Sequence, residues 1–418
     1  MSKFLVEKSG PIRGSIKVSG AKNAVLPIMA GAILAPDTCI LEDIPNLSDV
    51  QVMSEVIEAL GAQVTRMPDG IMEIRTPEII NCEAPYELVN KMRASFYVMG
   101  PLLARYGRAR VPMPGGCAIG SRPIDLHLKG FAALGARIEL GHGYVEAVAD
   151  KLVGATIYLD FPSVGATENI MMAATMAEGV TEIENAAEEP EIIDLANFLN
   201  KLGADIKGAG TDTLRIRGVK SLGGCRHAVI PDRIESGTYM IASAITGGDL
   251  TVTNVVSSHL KPLIAKLRES GAIIHEMEDA VRVIGTDSPK AVDITTLPYP
   301  GFPTDLQAQF MALLATANGS STVIETVFEN RFMHVSELNR MGARIRIEGH
   351  GAVIQGNPRL QGAQVNATDL RAGAALILAG IAAEGVTEIH DIHHIERGYD
   401  NIEEKLRGVG VKIRKVAK

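Results

Sequence analysis

The chain has 418 residues, 46% of them apolar, 22% charged and 4% aromatic, with 42 Gly and no Trp. That length suits roughly two to three domains, and the composition excludes a disulfide miniprotein or a disordered chain. Its 41 basic and 49 acidic side chains leave a formal charge of −8, so nucleic acid and anionic membranes are not attracted globally and any anionic ligand must be held by local cations. The start, Met1 to Glu7, lacks an apolar signal region, and residues 1–21 read as an unassigned strand ahead of the first repeat. The apolar stretches Ala24 to Ala35 and Ala372 to Ala383 are about 12 residues long, short of the ~18 that span a bilayer. They read as buried core helices, and no membrane insertion is expected. Cys39, Cys82, Cys117 and Cys225 are scattered without a Cys-x-x-Cys pair, which suits a reducing cytoplasm.

A helical pattern that ends in Gly and passes into a β-like run recurs six times, at Gly61, Gly135, Gly203, Gly271, Gly342 and Gly410, spaced 74, 68, 68, 71 and 68 residues apart. Gly is what a helix needs just past its end, where φ turns positive. The preceding helices are amphipathic. Ser48 is the expected N-cap of one carrying Val50, Met53, Ile57 and Leu60, and Ile192, Leu195, Leu199 and Leu202 mark another. Earlier in each repeat stands a helix that is apolar nearly all round, such as Ile170 to Ala174 or Ala374 to Leu378, which places it inside. The segment Glu178-Gly179-Val180-Thr181-Glu182-Ile183 returns as Glu384-Gly385-Val386-Thr387-Glu388-Ile389, 206 residues later, so three repeats make one half. The pattern predicts an α/β protein of two domains, divided near residue 230, with sheets around buried helices. A six-repeat solenoid is the competing architecture, although solenoid repeats usually run about 20 to 50 residues.

What precedes each buried helix is polar: Ala21-Lys22-Asn23, Lys91 to Ser95, Gly165 to Glu168, Pro231 to Glu235, Pro303-Thr304-Asp305 and Ala367 to Arg371. Thr, Asp and Asn are explained as caps. Lys22, Arg93, Arg233 and Arg371 are not, because a cation at a helix N-terminus opposes the macrodipole unless an anion sits there. With repeats of one handedness the six starts point into one cleft, where N–H groups and cations hold phosphate or carboxylate. The loop Pro112 to Pro123, with three Gly and three Pro, matches neither the P-loop nor the dinucleotide fingerprint, and its composition predicts closure over a substrate. Cys117 in it, near Arg122, reads either as a reactive thiol or as a small buried hydrophobe. The cluster His390-Asp391-Ile392-His393-His394 has no metal-ligand spacing and reads as a strand end or surface. Glu188-Glu189 and Glu403-Glu404 read as solvent-facing.

At Pro114 to Pro123, with Gly20 to Ala24 and Phe302 to Asp305, the chain closely resembles the enolpyruvyl transferase family. The match runs over essentially the full length and includes Glu325 to Arg331 and Ala367 to Arg371. The resemblance implies a two-domain inside-out α/β barrel, each domain three repeats of a β-α-β-α-β-β unit with buried helices and the active site in the cleft between them. Residues 22–229 then form the domain with the Cys117 loop, and 1–21 plus 230–418 the other, which the N-terminal strand joins.

The implied activity is transfer of the enolpyruvyl group of phosphoenolpyruvate to the 3-hydroxyl of UDP-N-acetylglucosamine with release of phosphate, the first committed step of peptidoglycan synthesis, without cofactor or metal. By family correspondence Cys117 donates the proton to C3 and Asp305 accepts the sugar hydroxyl proton. Lys22, Arg122 and Arg397 correspond to contacts with the enolpyruvate phosphate and carboxylate. Asn23, Arg93, Arg122, Pro123, Ile124, Asp125, Leu126, Ser163, Val164, Gly165 and Val327 correspond to nucleotide-sugar contacts, and Arg331, Asp369 and Arg371 join Lys22 and Asp305 among the substrate-binding positions. Phe161 stands where some relatives carry Lys, which removes a diphosphate cation. The epoxide fosfomycin alkylates the loop cysteine in this family, so Cys117 implies sensitivity. The sister activity on 3-phosphoshikimate does not depend on this Cys loop, and a six-repeat scaffold without activity would release no phosphate from any substrate pair.

Overall fold

The structure, a computed structural model, describes residues 2–114, 124–357 and 359–417. The chain divides into two compact units, one from the described residues of 20–230 and the other from those of 1–19 and 231–418.

The third repeat shows the common plan. Its strand Thr156–Tyr158 leads into the central helix Val164–Ala174, then strand Val180–Glu184, outer helix Pro190–Lys201, and strands Asp205–Lys207 and Thr213–Arg217. Val180–Glu184 runs parallel to Thr156–Tyr158 and antiparallel to Thr213–Arg217, which pairs in turn with Asp205–Lys207. Alternate residues Thr181 and Ile183 are buried while their neighbours are not, so each sheet lays one face on helices and the other outward. The outer helix starts with Pro190, whose missing N–H costs nothing in a first turn, and buries Ile192, Leu195, Ala196 and Leu199.

The helix predicted around Val50 runs Ser48–Leu60 and starts on Ser48 itself, so Leu47 holds the cap position and no side chain caps the helix. The six terminating glycines all have positive φ, from +88° at Gly342 to +120° at Gly61, which is the backbone that the sequence pattern demanded.

The six central helices are Lys22–Gly31, Met99–Tyr106 with the preceding 3₁₀ turn Arg93–Val98, Val164–Ala174, Arg233–Thr246, Gln307–Thr316 with Thr304–Leu306, and Leu370–Ala382. They are buried on nearly every side. Gln307 through Ala315 are all inaccessible, and Gly31 lies where a Cβ would stand 3.3 Å from the Phe198 ring.

Each unit closes on itself through strands distant in sequence. In the unit of residues 20–230, Arg226–Ala228 runs parallel to Thr38–Glu42, so the last strand completes the first sheet. In the other unit Arg13–Lys17 runs parallel to Asp249–Thr253, and Lys3–Glu7 inserts antiparallel between Val386–His390 and Lys412–Val416. Residues 1–21, expected as one strand, therefore form two, in different sheets, separated at Ser9-Gly10-Pro11 because Pro cannot donate to a ladder.

Candidate active site

The chain of residues 231–418 builds a charged cluster on its three central-helix starts. Asp305, in the turn that opens the second of these helices, accepts from Arg331 through Oδ1 at 2.7 Å and from Arg371 through Oδ2 at 3.1 Å. Both arginine side chains are nearly inaccessible, at 5% and 4%, whereas that of Asp305 keeps 25% of its surface exposed. Thr304 Oγ1 accepts from Arg331 Nη1 at 3.1 Å and donates to Glu325 Oε2 at 2.9 Å. Glu325, buried, accepts in addition from Thr296 Oγ1 and from the backbone N–H groups of Val327 and Phe328, which fixes the turn that carries Val327. Burial opposes the charge of Arg371, but Asp305, with Tyr399 and Asp232, outweighs it and holds the guanidinium ionised. Its Nη1 has no hydrogen-bond partner among the described residues.

Arg371 thus senses Asp232 at the first central-helix start, Asp305 at the second, and stands itself at the third. Beneath them Thr238 Oγ1, Gln309 Nε2 and Tyr399 Oη lie within 2.9–3.3 Å of one another. Asp232 and Asp369 are caps, each accepting from two backbone N–H groups of the helix that follows, so the carboxylate of Asp369 is already engaged by its own helix. Arg397 is half-buried at the end of the turn Ile392–Arg397, where burial lowers the pKa of His394 and His393 and Arg397 lower it further. The histidine cluster there forms no group able to hold a metal among the described residues.

In residues 20–230, Lys22 opens the first central helix and pairs with Asp49 at 2.8 Å, with side-chain exposures of 11% and 4%. Arg93 opens the 3₁₀ turn, and Ile124, Asp125 and Leu126 begin the helix Asp125–Ala133. Ser163 caps the helix Val164–Ala174 by accepting from the Ala166 N–H at 3.3 Å. A Cβ on Gly165 would stand 3.3 Å from His127 Cε1 and 3.7 Å from the Tyr97 hydroxyl, so this helix start packs close against both side chains. His127 Nδ1 accepts from Asn169 Nδ2, which also donates to the Phe96 carbonyl. The imidazole proton therefore resides on Nε2, beside Gly165. Burial, helped by Arg93, lowers the pKa of His127 to about 3.

Below this point lies Glu168, fully buried, with neither carboxyl oxygen in a hydrogen bond of ordinary geometry among the described residues. Burial, together with the Glu191 and Glu189 carboxylates, pushes its pKa well above the usual range against a smaller lowering by the Tyr97 hydroxyl. Glu189 is buried rather than solvent-facing, because it sits at the cap position of the helix Pro190–Lys201.

The reading that Lys22 and Arg371 demand an absent anion is corrected: in both, the chain supplies a carboxylate, Asp49 or Asp305. Arg233 stacks its guanidinium 5.7 Å over the Tyr299 ring. Asn23, Val164 and Val327 are half-buried, and Phe161 is 42% exposed. Cys117, Arg122 and Pro123, and with them the expected loop closure, lie outside the described residues. Sequence reasoning missed Asp49, His127 and Glu168. The first sits in a helix first turn, the second follows the noted Ile124 to Leu126 by one residue, and the third ends the noted Gly165 to Glu168 start.

The family model for EPSP synthase (3-phosphoshikimate 1-carboxyvinyltransferase) matches residues 6–406. The chain belongs to this enolpyruvyl transferase family. It is 65% identical over 412 residues, covering 99% of both chains, to UDP-N-acetylglucosamine 1-carboxyvinyltransferase 1 of Caldanaerobacter subterraneus subsp. tengcongensis. It is 64% identical over 419 residues, covering all of both, to UDP-N-acetylglucosamine 1-carboxyvinyltransferase 2 of Carboxydothermus hydrogenoformans. Among solved structures, the enolpyruvyl transferase NikO from Streptomyces tendae superposes with a TM-score of 0.90 at 27% identity, covering 100% of this chain and 99% of its own. EPSP synthase from Acinetobacter baumannii gives 0.78 at 18% identity over all of both chains, a likeness of fold. The chain has the two-domain α/β architecture of these enolpyruvyl transferases.

Proposed function

We propose that the chain transfers the enolpyruvyl group of phosphoenolpyruvate to the 3-hydroxyl of UDP-N-acetylglucosamine with release of phosphate. The observation that carries this reading is the likeness of 64–65% over essentially whole chains to two relatives that bear the name of this activity. The sugar oxygen bonds to C2 of the enolpyruvate while C3 takes a proton, giving a tetrahedral phosphate-bearing adduct. The C2–O bond to phosphate then breaks and C3 returns a proton, restoring the vinyl group. Each step needs an acid or a base and fixed cations.

Asp305 takes the proton of the sugar hydroxyl. Arg331 and Arg371 each hold one of its oxygens, so it is ionised and oriented before the hydroxyl arrives, and its exposed quarter leaves it within reach. Arg331, Arg371 and the cap Asp369 act through Asp305 and the helix start rather than by donating protons themselves. Cys117 supplies the proton to C3, Lys22, Arg122 and Arg397 hold the phosphate and carboxylate, and Ser163-Val164-Gly165 presents backbone N–H groups to the nucleotide diphosphate. Lys22 must exchange part of its contact with Asp49 for the substrate anion. Cys117 makes the chain sensitive to fosfomycin, and the product enters peptidoglycan synthesis in the cytoplasm. No helix of the described residues is long and apolar enough to cross a membrane.

The description of the family model favours one second reading, 3-phosphoshikimate as acceptor. Product analysis separates the two. Incubation with phosphoenolpyruvate and UDP-N-acetylglucosamine is expected to give a vinyl ether on the sugar 3-oxygen by NMR. Its absence, with a vinyl ether formed on shikimate 3-phosphate, overturns the proposal.

A further inference from the structure

Two thiols outside the candidate site face each other across a sheet edge. The parallel pairing of Arg226–Ala228 with Thr38–Glu42 sets Arg226 opposite Ile40, and the Ile40 N–H donates to the Cys225 carbonyl at 2.8 Å. One place earlier on both strands, Cys225 stands beside Cys39. Alternation puts them on one face: Cys39 and Leu41 are buried on the first strand and His227 on the second. Neighbouring strands lie about 4.8 Å apart, inside the roughly 4.4–6.8 Å between Cα atoms that a disulfide spans. Both thiols are free in the structure, Cys39 inaccessible and Cys225 half-buried.

We propose that Cys39 and Cys225 form a reversible, peroxide-driven disulfide that ties strand Arg226–Ala228 to strand Thr38–Glu42. The two sulfurs have unequal parts. The Cys39 thiol donates toward Cys225, and this, with Lys201 nearby, lowers the Cys225 pKa against the effect of burial. Cys39 is pushed up by the same bond and by burial. Lys201 is held there by its contact with His227 Nδ1 at 3.2 Å, and His227 Nε2 is 2.9 Å from Asp194 Oδ1. Cys225 is therefore the half-exposed thiol, with the greater thiolate character of the two, that a peroxide reaches first. Its sulfur attacks one peroxide oxygen, the O–O bond breaks, and hydroxide leaves, giving the sulfenic acid. Cys39 sulfur then attacks Cys225 sulfur, the S–O bond breaks, and the departing hydroxide takes the Cys39 proton as water. Two thiols and one peroxide become one disulfide and two waters. Cys82, the remaining described cysteine, has its pKa raised by burial, which makes it the internal standard for reactivity.

The test is a non-reducing peptide map of the full chain after brief treatment with hydrogen peroxide, with free thiols alkylated under denaturing conditions. A peptide pair linking Cys39 to Cys225, removed by dithiothreitol, is expected, with Cys225 consumed several-fold faster than Cys82. The oxidised chain should melt at a higher temperature than the reduced one, and Cys225→Ser should abolish both effects. In Cys39→Ser, Cys225 should accumulate as a sulfenic acid trapped by a dimedone reagent. Cys225 joined to Cys82 or Cys117, Cys225 advanced to sulfinic acid beside an intact Cys39, or Cys225 reacting no faster than Cys82 would each overturn the proposal.

Discussion

The two units bury acid at their central-helix starts in opposite ways. Around Asp305, two guanidiniums share one carboxylate, so the acid is held as an anion by paired cations. Around Glu168, burial and two further carboxylates push the carboxyl pKa up against the opposing Tyr97 phenol, so the neutral form is favoured instead. The repeat supplies the same backbone scaffold in both places, yet ion pairing solves the burial problem in one and neutralisation in the other. The first solution leaves a fixed anion for chemistry; the second leaves a group whose charge depends on pH.

The sharpest break of this comparison is Asp305→Asn. It removes the proposed base and leaves two buried cations facing an amide, so the rate of phosphate release should fall ~10²–10⁴-fold, with Asp305→Glu recovering part of it. A loss below tenfold would deny Asp305 the role. Next, Arg371→Met strips one cation from the cluster; Asp305 keeps Arg331 and a quarter of its surface, so the cost should fall below the roughly 3–5 kcal/mol of a buried charge left unpaired, read as a lower urea midpoint at unchanged slope. An unaltered midpoint would show that Arg331 alone compensates Asp305.

Titration sharpens the other side. Glu168 keeps its proton in the folded chain but loses it in the unfolded chain above the ordinary value of 4.5, so it stabilises fully below that pH and progressively less as pH rises toward its folded pKa. His127 and His334, with pKa values lowered by burial to about 3 and about 4, act with the opposite slope. They remain neutral when folded, so their stabilisation is present above the ordinary 6.5 and is lost as the pH falls below it. Glu168→Gln should remove the first slope and leave the second, which thermal melts from pH 4 to 9 would register. A Gln variant with the wild-type profile would mean that Glu168 is ionised in the folded chain. Smallest of all, Arg282→Ala, which breaks a two-bond pair with Asp249 between exposed side chains, should leave the melting temperature within error, since surface pairs add little. A clear drop there would remove burial as the feature that separates the clusters from ordinary ion pairs.

Much of this was legible in the residues. The six Gly stops, the amphipathic outer helices and the apolar inner ones are local patterns, and they appear where periodicity put them. The closing strands were not legible: Lys3–Glu7 pairs with strands more than 370 residues away, and no local signal names a partner at that distance. The same limit explains the charged helix starts. A cation such as Arg371 signals that an anion is near, but not that the anion is Asp305, 66 residues earlier. Glu189 was misread because a pair of acids usually faces water, whereas here it is buried at the start of a packed helix.

Phosphate release at saturating phosphoenolpyruvate, measured in parallel with UDP-N-acetylglucosamine and with shikimate 3-phosphate, tests the central claim most directly. Turnover with the nucleotide sugar, none with the shikimate, and collapse of the rate in Cys117→Ala is the predicted result. Turnover with shikimate 3-phosphate alone, or an undiminished rate in the variant, would contradict it.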